Sequence, residues 1–176
     1  LGSAFRGMEN SGNPWGMSQS DRAAWTDKVD DEIEIVDGSA DFDHEYLYWV
    51  GCAGSFDDKN QKVTQAMAKL MTRAGVDFAI LGPNENCTGD PARRSGNEYI
   101  FQMLAMQNIE TLDGMGVRKI ITQCPHCFNT LMNEYPQLGG HYEVVHHTQL
   151  LNRLVRDKKL VPVARPADVP GSQLSQ

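Results

Sequence analysis

The sequence predicts an α/β fold with an open, mostly parallel sheet of about four strands, helices on both faces, and an irregular N-terminal arm. From residue 46 onward, apolar runs of strand length alternate with segments of helical period, which is the order of a βαβ chain. The stretches between the runs are long enough to carry crossover helices between parallel strands. With 176 residues and 40% hydrophobic content, a core of ordinary size is expected.

The two ends of the chain are predicted to lie outside this α/β unit. Residues 1–45 form an arm or linker, with a turn-rich stretch over 7–16 and one short helix over about 20–29. Residues 27–45 hold nine acidic side chains against one lysine, a pattern typical of a solvated linker, with a docking strip for a basic redox partner as the alternative. Residues 161–176 are predicted to be a C-terminal linker.

The predicted strands are short apolar runs that stop at turns. Their ranges are 46–50, 77–81, 119–122 and 142–145. The first run is apolar or aromatic throughout, as expected for a strand that is buried on both faces.

Helical segments are predicted over about 57–73, 90–113 and 148–158, with a short helix beginning at the third cysteine. In the first of these helices the apolar positions form one stripe, consisting of Val63, Met67, Leu70 and Met71. Asp90 is predicted to be the N-cap of the second helix, with Pro91 in its first turn.

The cysteines all follow predicted strands. Cys52 comes after the first strand, Cys87 lies in the loop after the second, and Cys124 and Cys127 come after the third. Open parallel sheets bind ligands at the edge where the strands end. The four thiols are therefore predicted to converge on one site.

Three kinds of chemistry suit such a site. Four thiolates are the usual ligands of a [4Fe–4S] cluster, and a Cys-x-x-Cys at a helix start favours negative sulfur. Zinc also accepts four cysteines, although structural zinc sites usually pair two Cys-x-x-Cys units. The segment Cys124-Pro125-His126-Cys127 is also similar to the redox dithiol of DsbA-type oxidants, which would leave Cys52 and Cys87 without a role.

Several functional classes are disfavoured. The net charge of −7 argues against nucleic-acid binding, and four cysteines are too few for a disulfide-dense scaffold. The sequence shows neither a signal peptide nor an apolar run of about 18 residues, so the chain itself is expected to be soluble. Neither a glycine-rich phosphate loop nor a Ser–His–acid pattern is evident, so no nucleotide or flavin is expected.

Other residues are candidates for supporting roles. His146 and His147 end the fourth strand and would tune the potential or carry protons, unless they only cap a helix. His126 is expected to point outward and to modify the charge near the site. Arg93 and Arg94 either offset the negative charge of the site or face water. The glycines expected to let backbone approach an inorganic core are Gly51, Gly54 and Gly89.

Three segments together resemble the cysteine-rich "CCG" domain of heterodisulfide-reductase B-like iron–sulfur oxidoreductases. They are Gly51-Cys52, Glu85-Asn86-Cys87-Thr88-Gly89-Asp90-Pro91 and Cys124-Pro125-His126-Cys127. The likeness covers about residues 46–155, within a predicted domain of 46–160. Residues 6–16 also resemble the connector before the first such domain in large, membrane-associated bacterial members.

The resemblance implies an electron relay within a longer oxidoreductase. One [4Fe–4S] cluster would be held by Cys52, Cys87, Cys124 and Cys127, with an electron-transfer flavoprotein as donor and membrane menaquinone as eventual acceptor. The parent would contain a membrane part, a ferredoxin-like segment and a second CCG domain at the cytoplasmic face of the plasma membrane. Actinobacterial members are similar to enzymes that serve fatty-acid β-oxidation.

One residue departs from the family pattern. The family carries a pair of cysteines where this chain has Cys87-Thr88. Four cysteines suit an ordinary cubane cluster better than the noncubane clusters that the resemblance implies for heterodisulfide reduction. Electron relay is therefore favoured over cleavage of a disulfide substrate.

Overall fold

The computed structural model describes residues 1–163, which fold around a four-stranded sheet. The strands are β1 (Tyr46–Trp49), β2 (Phe78–Ala79), β3 (Lys119–Thr122) and β4 (Glu143–His146). They lie in the order β2-β1-β3-β4, and every pair is parallel. The predicted α/β class is confirmed, and the sheet is parallel throughout. Most of the predicted linker 161–176 lies outside the described residues.

Register brings the strand ends to one level. Trp49 of β1 pairs with Thr122 of β3, and Thr122 pairs with His146 of β4. The segments that follow these three residues therefore leave the sheet along the same edge.

Helices cover both faces of the sheet. They are α1 (Gly2–Ser11), α2 (Gly51–Phe56), α3 (Asp58–Arg73), α4 (Asp90–Arg94), α5 (Glu98–Met115), α6 (Pro125–Asn129) and α7 (His147–Arg156). A 3₁₀ segment spans Gln19–Lys28, a short 3₁₀ turn spans Gly82–Asn84, and α6 continues through a π turn (Thr130–Glu134) and a 3₁₀ turn (Tyr135–Leu138). Within residues 1–163, none of the helices combines the length and apolar character needed to cross a membrane.

Alternate strand residues supply the cores on the two faces. Leu47 and Ile120 pack with α5 and α1 on one face, while Tyr48 and Ile121 pack with α3 and α7 on the other. All four β1 residues are buried, as expected for a strand with both faces covered.

The arm contains a helix that the sequence did not predict. The turn-rich stretch begins inside α1, which ends at Gly12 in the left-handed conformation (φ 63°). Met8 of this helix is 1% exposed and packs in the α5-side core. Tertiary packing therefore overrides the weak helical propensity of a glycine-rich segment, and the prediction of an irregular arm is wrong over residues 2–11. The short helix predicted over 20–29 is present as the 3₁₀ segment.

The buried face of α3 is displaced from the predicted stripe. Val63 is 43% exposed, whereas Thr64 is fully buried. The Thr64 hydroxyl donates to the Gly54 carbonyl at 3.0 Å and accepts from the Gln123 amide at 2.7 Å. A polar side chain with its hydrogen bonds satisfied thus takes the core position that the apolar pattern assigned to Val63.

Two predicted helix boundaries were wrong. The segment predicted as one helix over 90–113 is two, because the Asn97 side chain accepts the Ile100 N–H and starts α5. Gly89 with φ 88°, and not Asp90, is the N-cap of α4. Residues 51–56, for which no helix was predicted, form α2.

The acidic segment 27–45 lies along the sheet edge. Val36 N–H donates to the Ile80 carbonyl and Ile80 N–H donates to the Glu34 carbonyl, both at 2.9 Å, so a parallel bridge extends the edge beside β2. Eight of its nine acidic residues are exposed, as predicted, but the segment is attached to the sheet.

The buried face of α3 leads to different predicted stability losses for two alanine substitutions in this helix. Met67→Ala removes a side chain that is 2% exposed and should lower the free energy of unfolding by about 2–5 kcal/mol. Val63→Ala changes a side chain that is 43% exposed and should alter the free energy of unfolding by less than about 0.5 kcal/mol. Urea unfolding followed by circular dichroism measures both. Equal losses for the two variants would contradict the assignment of the buried face.

His44 makes a pH-dependent attachment between the arm and the sheet. Its Nδ1 lies 2.8 Å from Asp77 Oδ1 and its Nε2 lies 3.3 Å from Glu34 Oε1. The hydrogen bond to Asp77 raises the pKa of His44 above its ordinary 6.5. The folded state therefore binds this proton more tightly than the unfolded state does. The stabilisation is complete below the ordinary pKa and is lost as the pH rises through the folded-state pKa.

We therefore expect His44→Gln to destabilise the protein at about pH 6 and to have little effect at about pH 9. Urea midpoints of both proteins across this range measure the difference. A difference that grows as the pH rises would refute the role of His44.

Candidate functional site

A cavity of about 400 Å³ lies at the carboxyl edge of the sheet, and all four cysteines line it. Cys52 stands in the first turn of α2, Cys87 lies in the loop before α4, Cys124 is the N-cap of α6, and Cys127 lies within α6. All four thiols are free. The structure thus brings together the four cysteines that the strand order pointed to, while their role as ligands stays a prediction.

The thiols fall into two pairs, in which each thiol shifts the pKa of its partner. Interaction with Cys87 lowers the pKa of Cys52, with a further contribution from the Arg22 cation, and interaction with Cys52 raises the pKa of Cys87 well above its ordinary value. In the second pair, interaction with Cys127 and with the backbone N–H groups at the start of α6 lowers the pKa of Cys124 to about 6. The pKa of Cys127 is raised well above its ordinary value by interaction with Cys124 and by burial. Each pair therefore contains one thiol with a lowered pKa and one with a raised pKa.

Two glycines allow close backbone approach at the site. Gly51 has φ 78°, and a Cβ added there would lie 3.3 Å from Cys127 Sγ. Gly89 has φ 88°, and its N–H donates to Cys87 Sγ at 3.5 Å. Gly54, predicted to have the same role, is instead needed for packing, because a Cβ there would lie 2.6 Å from the Gln123 amide nitrogen.

A buried ion pair adjoins the first thiol pair. Arg22 is 1% exposed, and its Nη1 lies 2.7 Å from Glu85 Oε1. Its Nη2 donates to Cys52 Sγ at 3.4 Å. Glu85 belongs to a family-like segment of the sequence but had no predicted role, and Arg22 was not predicted at all. No pattern in the arm marks this arginine, whose burial depends on a glutamate 63 positions away.

The loop carrying Cys87 is held from behind by two buried side chains. Asn108 Nδ2 donates to the Cys87 carbonyl at 3.0 Å and to Tyr135 Oη at 2.9 Å. Tyr135 Oη donates to the Thr88 carbonyl at 3.1 Å. The Thr88 hydroxyl itself lies 4.0 Å from Cys127 Sγ. These contacts fix the loop without any covalent link.

The predicted histidines differ in position. His146 and His147 are not among the residues that line the cavity. His146 caps α7, with Nδ1 2.7 Å from Thr148 Oγ1 and Nε2 3.2 Å from the Gln123 carbonyl. His126 does line the cavity; its side chain is 71% exposed, and its Nδ1 lies 3.2 Å from Asp90 Oδ2. The outward orientation expected for His126 is therefore observed, whereas His146 takes the capping alternative.

The two arginines of α4 pair with Glu134, and Arg94, whose side chain is 51% exposed, also faces water as one predicted alternative had it. Arg93 Nη1 lies 3.1 Å from Glu134 Oε2, and Arg94 also pairs with Glu134. Arg93 additionally stacks on the Phe101 ring at 4.4 Å. Both charges are therefore compensated by a partly buried carboxylate, although Arg94 still lines the cavity.

The donor set fits a thiolate-ligated group that bridges the cavity. Two thiol pairs face one space, and N–H donors from Arg22 and Gly89 point at sulfur. Across the described part of the chain, no three His, Cys, Asp or Glu side chains are grouped closely enough to hold a single metal ion.

Comparison with known proteins shows which protein family this chain resembles. A family model described as CCG, cysteine-rich domain, matches residues 46–132. The chain is 47% identical over 163 residues to the EtfAB:quinone oxidoreductase of Syntrophomonas wolfei, which covers 90% of this chain and 22% of that protein. It is 45% identical over 165 residues to the probable iron-sulfur-binding oxidoreductase FadF of Bacillus subtilis, covering 90% of this chain and 23% of that protein.

A more distant relative is less than 30% identical to this chain. The chain is 29% identical over 154 residues to one component of the dihydromethanophenazine:CoB–CoM heterodisulfide reductase of Methanosarcina acetivorans, covering 84% of this chain and 35% of that component. The chain thus spans about a fifth to a third of the length of these curated relatives. No solved structure matches it significantly.

The unequal thiols of the second pair give a prediction for the metal-free, reduced chain. Cys124 is half-buried with a pKa of about 6, so iodoacetamide at pH 7 should modify it before the other three cysteines. Its rate should rise as the pH passes through about 6 and then level off. Peptide mass spectrometry over time measures each site. Faster modification of Cys127, which is buried with a raised pKa, would contradict the assignment.

Proposed function

Because residues 46–132 belong to the CCG cysteine-rich family, we propose that this chain is an iron–sulfur electron-transfer domain. One [4Fe–4S] cluster is bound by Cys52, Cys87, Cys124 and Cys127. The observation that carries the proposal is the convergence of four free thiols, from the three segments that follow β1, β2 and β3, on one cavity. When bound, the cluster supplies one-electron transfer.

The local chemistry supports thiolate ligation. Ligation requires deprotonated sulfur, so binding releases protons. Cys52 and Cys124, whose pKa values are lowered, are the two thiols that ionise most readily. Arg22 and the N–H of Gly89 then stabilise negative sulfur within a mostly buried site.

Thr88 supports electron relay over disulfide cleavage. Its hydroxyl is directed toward Cys127 Sγ at 4.0 Å, where it contributes a weak polar contact and no fifth thiolate. Four thiolates complete the ordinary ligand set of a cubane cluster. The site therefore offers no additional sulfur ligand for a noncubane cluster.

The relatives suggest the wider setting. Within a longer oxidoreductase, the domain would pass electrons from a reduced electron-transfer flavoprotein toward membrane menaquinone, as the name EtfAB:quinone oxidoreductase indicates for that relative. The parent would also carry a ferredoxin-like segment, a second CCG domain and a membrane part at the cytoplasmic face. Fatty-acid β-oxidation is the corresponding process.

One observation favours dithiol chemistry as a second candidate. Cys124 is half-buried with a pKa of about 6 while its partner Cys127 is buried, which is the asymmetry of an attacking and a resolving thiol. That function uses neither Cys52 nor Cys87. A structural zinc ion would need four sulfurs at about 2.3 Å from one point. The arrangement of two thiol pairs around a cavity supports a larger group.

Anaerobic reconstitution followed by iron, sulfide and zinc analysis tests the proposal. The chain should bind about four iron ions and be brown, with an absorbance that bleaches on reduction. Cys87→Ser should remove or degrade this absorbance, because it replaces a ligand sulfur. Ser95→Ala, which changes a cavity-lining residue without sulfur, should leave it unchanged. A colourless protein with stoichiometric zinc, or full iron content in Cys87→Ser, would overturn the proposal.

A further inference from the structure

Arg22 reaches from the arm into the cysteine site. Although it lies 24 positions before residue 46, where the family match begins, its guanidinium is buried beside Cys52. Four acceptors surround it: Nε donates to Gln19 Oε1 at 3.2 Å, Nη1 donates to Glu85, and Nη2 donates to Cys52 Sγ at 3.4 Å and to the Gly12 carbonyl at 3.2 Å. The side chain therefore joins the arm, the Cys87 loop and the Cys52 sulfur.

Glu85 extends this connection to the backbone before Cys52. Its Oε2 accepts the Val50 N–H at 2.9 Å, and its Oε1 accepts the Gly51 N–H at 2.8 Å. These two N–H groups lie where β1 ends and α2 begins. The ion pair thus fixes the turn that places the Cys52 sulfur in the cavity.

The arm also holds the second member of the first thiol pair. The Gly12 carbonyl accepts the Cys87 N–H at 2.7 Å. Gln19 Nε2 donates to the Glu85 carbonyl at 2.9 Å and to Asn86 Oδ1 at 3.1 Å. Both Cys52 and Cys87 are therefore positioned by contacts from residues 12–22.

The charges of Arg22 and Glu85 affect the reduction potential of a cluster bound beside them. A thiolate-ligated cluster gains negative charge when it is reduced, and its potential depends on nearby charge and on hydrogen bonds to sulfur. A buried cation at hydrogen-bond distance stabilises the reduced cluster more than the oxidised cluster, because the reduced cluster is more negative. The effect is strong because buried charges are weakly screened. Glu85 has the opposite sign and acts in the opposite direction.

We propose that residues 12–22 of the arm are part of the cofactor site, with Arg22 as the positioning residue that raises the reduction potential of the cluster and Glu85 as its counterweight. This inference rests on the proposed iron–sulfur function. It extends the site beyond the residues that the family model covers.

Redox titration of the reconstituted full chain, followed by absorbance and electron paramagnetic resonance, tests the inference. Arg22→Gln should shift the midpoint potential to more negative values, and Glu85→Gln should shift it to more positive values. Arg22→Lys retains the charge and should restore most of the potential. Arg6→Gln, an exposed arginine of the same arm, serves as the matched control and should have no effect.

Shifts of opposite sign are the result that a merely structural role would not produce. An intact cluster with unchanged potentials, or with both shifts in the same direction, would overturn the tuning role. If the single variants lose the cluster because one buried charge is left unpaired, Arg22→Gln/Glu85→Gln is titrated in their place. The midpoint potential of the double variant should be slightly more negative than that of the wild-type chain, since Arg22 contacts the sulfur directly and Glu85 does not. Loss of the cluster from this variant too, with circular dichroism unchanged, would limit Arg22 to positioning.

A wild-type chain that takes up no iron–sulfur cluster would instead overturn the proposed function. The two failures are therefore distinguishable by the iron and sulfide content of the wild-type protein.

Discussion

Parallel pairing in register is the constraint on which the rest of the structure depends. Because Trp49, Thr122 and His146 occupy one level of the sheet, the segments that leave β1, β3 and β4 start along a common edge. This register brings Cys52 and the Cys-x-x-Cys segment to the same edge of the sheet. A shift of one residue in the β1–β3 pair would turn the side chains of one strand to the opposite face of the sheet.

Features that depend on neighbouring residues in the sequence were predicted, whereas features that depend on residues distant in sequence were missed. Strand β3 was located correctly because two adjacent β-branched apolar residues, Ile120 and Ile121, lie just before the Cys-x-x-Cys segment. The convergence of the cysteines followed from their positions after parallel strands, because the carboxyl ends of such strands meet at one edge. Helix α1 was missed because the burial of Met8 depends on α5, nearly a hundred positions later, and not on the pattern around it. Arg22 was missed for the same reason, since its partner Glu85 and its acceptor Cys52 are remote in sequence.

Hydrogen bonds and ion pairs of polar side chains explain why the buried face of α3 and the partners of Arg93 and Arg94 were not predicted. The apolar stripe of α3 was assigned to Val63, but the core position belongs to Thr64, whose hydroxyl both donates and accepts inside the protein. A hydrophobicity pattern contains no information about a hydrogen bond to a residue such as Gln123 that is distant in sequence. The same limit applies to Arg93 and Arg94, whose shared partner Glu134 lies on a later turn.

The bridge between Ile35 and Ile80 has a consequence for how separate molecules meet. Strand β2 is the outer strand of the sheet on that side and is only two residues long. An uncovered outer strand exposes backbone groups on which another chain can add a strand, which is a common start of aggregation. Here the segment carrying Glu32 and Glu34 occupies that position and surrounds it with negative charge. Two such molecules would repel each other at the place where their sheets could otherwise join.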